Sequence, residues 1–215
     1  MAQHCQAILF DLDNCICDSR EPGEALFAPA FDAIARANAG HLPPERLQAA
    51  FEECWYSSFD LVAQRYGFTP AMFDAGFEAF ARLEVAWPLK GYPDLAVLPR
   101  LAVDKHLVTS GFQRLQQSKV RALGIADRFA SVVIDAVDVP PRRGKRRIFE
   151  DILAERGLRA QQVLVVGDNP LSELEAGRAL GMTTVQTLRP GVKKAEADVH
   201  IRSFEELLAL VGPPA

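Results

Sequence analysis

AILFDLDNCICDS, residues Ala7 to Ser19, carries four apolar residues straight into two aspartates, Asp11 and Asp13, with one leucine between them. The apolar run reads as a short buried strand, and strand alternation would send both carboxylates toward the same face. Two unit charges about 4 Å apart repel by roughly 4 kcal/mol at an effective dielectric near 20, so the pair calls for a cation or a proton to relieve it. The alternative is a plain polar turn in which the carboxylates cap backbone amides.

Working outward, the segment from Lys105 onward alternates between two patterns. The runs "HLVTSG", "SVVIDA", "VLVVGD" and "TTVQT" are short, apolar or β-branched, and helical segments lie between them at about 112–124, 145–157 and 171–180. Strands that are almost continuously apolar and separated by helices imply a parallel sheet covered on both faces. A last helix is expected from Ser203, with Glu206 three residues on to complete a capping box.

Residues 21 to about 86 read differently, as helices only. Phe27, Phe31 and Ile34 form one stripe, Leu47, Phe51 and Trp55 a second, and Met72, Phe73, Phe77 and Phe80 a third. Thr69 and Pro70 supply an N-cap and a first-turn proline for the third helix. The architecture predicted is an α/β doubly wound parallel sheet, residues 1–20 and 88–215, interrupted after its first strand by a helical insertion, residues 21–87. In such sheets ligands bind beyond the carboxyl ends of the strands.

With 215 residues, 49% of them apolar and 24% charged, the chain can bury one sizeable core. A net charge of −4 argues against a surface built for nucleic acid. The opening "MAQHCQAILF" is too short an apolar run for a signal peptide, and no apolar stretch is long enough to span a bilayer, so a cytoplasmic protein with no membrane partner is expected. Cys5, Cys15, Cys17 and Cys54 do not form a disulfide framework, and Cys15-x-Cys17 lacks the second pair a zinc site needs. His4, His41, His106 and His200 are scattered and fall in no motif.

The strand ends carry, in order, Asp11 and Asp13, then Thr109-Ser110-Gly111, then the basic "PPRRGKRRIF", then "VVGDNPLSELEAG" with Asp168 and Glu173. This succession resembles the four motifs of the haloacid dehalogenase (HAD) superfamily: D-x-D on Asp11 to Cys15, an apolar run ending on Thr109, a lysine opening a helix at Lys145, and a strand ending on Gly167-Asp168 with Glu173 beyond. The helical insertion stands where that superfamily places its C1 cap. Two positions depart from the pattern, Cys15 where Thr or Val is usual and Glu173 where Asp is commoner.

The resemblance implies a phosphatase-like branch acting on a small phosphorylated substrate. Asp11 would be the nucleophile and Asp13 the general acid and base, with Thr109, Ser110 and Lys145 holding phosphoryl oxygens. Mg²⁺ would sit on the carboxylates of Asp11 and Asp168 and the backbone carbonyl of Asp13, with Glu173 orienting metal-bound water. Retention of Asp13 favours ester hydrolysis over carbon–halogen cleavage; a phosphomutase, a dehalogenase and a non-catalytic binding protein of the same fold are the alternatives. The basic cluster of Arg142, Arg143, Lys145, Arg146 and Arg147 is expected to be solvated apart from Lys145.

Overall fold

The computed structural model describes residues 5–212; His4 lies outside them. A six-stranded sheet organises the chain, with β1 (Ala7–Phe10) at its centre. On one side of β1 lie β2 (Asp104–Gly111) and then β3 (Ser131–Ala136); on the other lie β4 (Val163–Gly167), β5 (Thr183–Thr187) and β6 (Val199–Ile201). Every pairing is parallel. The chain fills one side of β1 first and then crosses to the other, so the gap between β1 and β4 is the topological switch point, where the carboxyl ends of an α/β sheet leave a crevice.

Full coverage explains why β1 is apolar at every position. Ile8 and Phe10 face a cluster with Leu107, Phe129, Val166 and Phe204. Ala7 and Leu9 face the opposite layer with Val108, Ile148, Phe149 and Val165. The flanking helices are α5 (Gln113–Leu123), α6 (Gly144–Arg156), α7 (Glu173–Leu180) and α8 (Leu207–Val211).

Between β1 and β2 the chain forms four helices, α1 (Glu24–Asn38), α2 (Pro44–Glu53), α3 (Phe59–Tyr66) and α4 (Pro70–Ala81). They share an apolar cluster of Phe27, Ile34, Trp55, Phe59, Met72 and Phe80, which extends onto Phe112 and Leu115 at the start of α5. Phe80 and Phe112 stack with centroids 5.5 Å apart. The burial of such a ring contributes about 1.5–3 kcal/mol, so the helical layer is fixed to the sheet layer largely by these two residues and their neighbours.

The expected α/β architecture with its helical insertion is thus the observed one, and Thr69 caps α4 by accepting from the Met72 amide at 3.2 Å. Four local features differ from expectation. Trp55 lies beyond the end of α2 and packs instead on Phe27, ring centroids 4.3 Å apart. The eight residues of α3 are too few to show their own stripe. The Ser203–Glu206 capping box opens a single 3-10 turn, Phe204–Glu206, before α8 begins. β6 has only three residues, below the length at which alternation can be recognised. No helix among the described residues is long and apolar enough to cross a membrane, and all four cysteines are free.

Candidate active site

The site is assembled at the switch point. Phe10 is in register with Val166 of β4, and the Asp11 amide still donates to the Val166 carbonyl at 2.9 Å, so Asp11 is held by the sheet itself. The chain then curls away. The amides of Cys15, Ile16 and Cys17 converge on the Leu12 carbonyl, while Asn14 takes a left-handed conformation, φ 53°, that asparagine tolerates. Asp13 therefore stands in a tight loop and not on a continuing strand, contrary to the alternation argument, yet its side chain and that of Asp11 line one cavity. Cys15 is fully buried with its Sγ 3.5 Å from the Val166 carbonyl, and burial keeps its thiol protonated well above the usual range.

A buried arginine fastens this loop from behind. Arg189 donates to the Cys15 carbonyl from Nε at 3.1 Å and Nη2 at 2.9 Å, pairs with Asp94, and lies between the rings of Tyr92 and Phe204.

Lys145 occupies the first turn of α6, whose start is set by the Gly144 amide donating to Asp135 at 2.9 Å. Its Nζ donates to Asp11 Oδ1 at 2.7 Å and to Glu173 Oε2 at 2.8 Å. The other Glu173 oxygen accepts from the Asn169 amide at 2.7 Å. Gly167 makes this possible, since a Cβ there would collide with the Glu173 side chain. Glu173 is thus held by Lys145 and by the turn that carries Asp168.

Burial pushes the Asp11 carboxyl up to about 7, Lys145 opposing and Glu173 adding to the rise. Asp168 is raised well above its ordinary value by burial and by the charges of Glu173 and Asp11. Burial works against the charge on Lys145, but Asp11 and Glu173 outweigh it and hold the ammonium above its usual range.

Asp13 has a lysine of its own. Lys119 of α5, only 4% exposed, donates to Asp13 Oδ1 at 2.7 Å, and Gln116, one turn earlier, donates to Oδ2 at 2.9 Å. The same Gln116 amide group reaches Thr109 Oγ1 at 2.7 Å. Thr109 is buried at the cavity, whereas the Ser110 hydroxyl turns to Asp135 at 3.3 Å. The sequence reading missed Gln116 and Lys119. Their signal was a polar pair at i and i+3 beside Leu115 and Val120, on the face of α5 that the apolar residues mark as inward.

The basic cluster divides in a way composition does not show. Arg143, Arg146 and Arg147 form exposed pairs with Glu150 and Asp151 along α6. Arg142 turns inward instead and bridges the two layers, from Nε to Asp135 at 3.0 Å, and to Asp60 and Ser58 beside α3. The expectation that it is solvated is corrected, because buried Asp135 needs its charge.

Oxygens of Asp11, Asp168 and Glu173 lie within 4.8 Å of one another. With Asp13 they make four carboxyl groups against two ammonium groups, Lys119 and Lys145, around a cavity of about 320 Å³, two positive charges short of what full ionisation would need, and the upward shifts of Asp11 and Asp168 express that shortfall. A hard divalent cation fits such a donor set and such a deficit.

Residues 5–181 match the family model described as haloacid dehalogenase-like hydrolase. The chain belongs to the haloacid dehalogenase-like hydrolases. This hydrolase is 28% identical over 218 residues to the glyceraldehyde 3-phosphate phosphatase of Methanopyrus kandleri, covering 93% of the chain and 92% of that enzyme. It is 30% identical over 137 residues to the phosphoserine phosphatase of Thermus thermophilus, covering 60% of the chain and 54% of that enzyme. Among solved structures, the HAD-hydrolase YfnB of Bacillus subtilis bound to magnesium aligns with a TM-score of 0.64 over 98% of this hydrolase and 100% of that chain, at 18% identity, a likeness of fold.

Proposed function

We propose that this hydrolase cleaves the phosphate monoester of a small molecule through a covalent phosphoryl group on Asp11, with Mg²⁺ as cofactor. The observation that carries the reading is the pair of carboxylates at the end of β1, each held by its own buried lysine and both facing one cavity. The relatives named above as phosphatases support it.

Asp11 is fixed by the Val166 carbonyl and Lys145, and one of its oxygens attacks phosphorus. The ester P–O bond breaks, and the leaving oxygen takes a proton from Asp13. Water then attacks phosphorus, its proton passing back to Asp13, and the Asp11 carboxylate is released with inorganic phosphate. Gln116 and Lys119 aim the Asp13 carboxyl for both transfers. Thr109 and Lys145 would hold phosphoryl oxygens.

Mg²⁺ would be held by Asp11, Asp168 and the backbone carbonyl of Asp13, supplying the positive charge that the four carboxylates lack. Glu173 acts through Lys145 and the 168–173 turn. Residues 21–87 would serve as the cap over 1–20 and 88–215, and the free cysteines, three of them buried, suit a cytoplasmic location. The Asp13 carboxyl is what ester hydrolysis needs and carbon–halogen cleavage does not.

The test is phosphate release from a set of phosphate monoesters. Release that ceases in excess chelator and returns with added Mg²⁺ is expected; full turnover in chelator would remove the cofactor, and no release from any ester would remove the reaction.

A further inference from the structure

The cavity that holds the charged groups just described is also lined by apolar side chains, Trp55, Tyr56, Phe59 and Leu61 from residues 21–87 and Phe112 and Leu171 from the sheet layer, and these are what the part of a substrate beyond the phosphoryl group would meet. Tyr56, Leu61 and Leu171 are 42%, 45% and 72% exposed, large apolar side chains in contact with solvent. Only three other large hydrophobic residues are so exposed among those described, Trp87, Val139 and Leu210, and none of them lines the cavity. Apolar surface gathered at one cavity mouth marks a ligand contact.

The cations that line the cavity beside these apolar side chains are already matched. Arg65 pairs with Glu53. Arg142 is shared between Asp60 and Asp135, so one cation faces two carboxylates, and Asp60 Oδ1 is buried without a hydrogen-bond partner among the described residues. A second anion on the substrate would meet a surplus of acceptors and no free cation.

We infer that the leaving group is an uncharged alcohol bearing an apolar or aromatic group, and that Tyr56, Leu61 and Leu171 bind it. The inference rests on the phosphate-ester reading and adds the substrate class. A cavity of about 320 Å³ accommodates only a compact group beyond the phosphate, near the lower limit of small-molecule sites. Binding energy from this remote contact would hold the ester oxygen near Asp13.

The experiment compares kcat/KM for benzyl phosphate, glycerol 3-phosphate, 2-phosphoglycolate and O-phosphoserine. Benzyl phosphate should exceed both charged esters by about tenfold or more, the discrimination an apolar pocket supplies. The double variant Leu61→Ser, Leu171→Ser alters exposed positions that the fold does not need, and it should lower the preference for benzyl phosphate over glycerol 3-phosphate by about fivefold, chiefly through KM. Equal or better turnover of phosphoglycolate or phosphoserine would overturn the inference while leaving the phosphatase reading intact. An unchanged preference in the double variant would overturn the assigned contacts. Release from none of the four would overturn the reading and the inference with it.

Discussion

Two lysine–aspartate pairs stand side by side at the end of β1, alike in length and unlike in setting. Lys145 meets Asp11 at 2.7 Å and Lys119 meets Asp13 at 2.7 Å. The Asp11 side chain is 9% exposed and Lys145 is shared with Glu173, so that pair belongs to a buried charge network anchored by the sheet. Asp13 is 23% exposed, sits in a loop and shares its carboxylate with Gln116. On the proposed mechanism, the group that would bond to phosphorus is immobilised by backbone and burial, and the one that would exchange protons with a leaving group and with water is held by side chains and left open to the cavity.

The comparison breaks most sharply at the aspartates. Asp11→Asn should reduce kcat by on the order of 10⁴ or more, the scale of removing a nucleophile. Asp13→Asn should cost roughly 10²–10⁴, the scale of general acid–base catalysis. Steady-state kinetics on one ester reads both, and a milder loss for Asp11→Asn would exchange the assigned roles.

The lysines should differ in stability as their surroundings differ. Lys145→Met leaves Asp11 and Glu173 buried without their cation, and removal of one partner of a buried pair costs about 3–5 kcal/mol. Lys119→Met leaves Asp13 with Gln116 and solvent, for which a lost charged hydrogen bond of roughly 1.5–3 kcal/mol is the guide. Denaturant unfolding without added metal measures both; equal losses would mean that the two pairs are equally buried in solution.

A smaller effect comes from pH. The Asp11 carboxyl, raised to about 7 chiefly by burial, binds its proton more tightly folded than unfolded. Its contribution to stability is therefore present below the ordinary carboxylate range and is lost as pH rises toward 7, and Asp168 is shifted in the same direction. The proposed Mg²⁺ would bind the ionised groups, so its stabilisation should be larger at pH 8 than at pH 5.5. At a hundredfold excess over Kd at pH 8 this is about 2.7 kcal/mol, or roughly 5–10 °C in Tm. A larger shift at the lower pH would contradict the sign.

Asp11, Asp13, Thr109, Lys145, Asp168 and Glu173 were legible in the sequence because each lies at or just past the carboxyl end of a strand or opens a helix, and all of them line the one cavity. The parallel sheet was legible for the same reason, in apolar runs that end on polar residues. Lys119 and Gln116 were not, since a lysine on a helix is ordinarily solvated and only the packing of α5 against the Asp13 loop turns it inward. Arg189 acts on Cys15 across 174 positions of sequence, a contact that no local pattern encodes. Arg142 was hidden among like charges, and its partners Asp60 and Asp135 lie in two different layers of the fold.

The division of labour between the two pairs is tested most directly by the first chemical step of Asp13→Asn, measured under single-turnover conditions with two esters. Benzyl phosphate leaves as an alkoxide and needs a proton; p-nitrophenyl phosphate leaves as a stabilised phenolate and scarcely does. Asp13→Asn should slow enzyme phosphorylation by benzyl phosphate by roughly 10²–10⁴ and by p-nitrophenyl phosphate by far less. Equal losses for the two esters in that step would contradict the account and leave Asp13 a positioning charge.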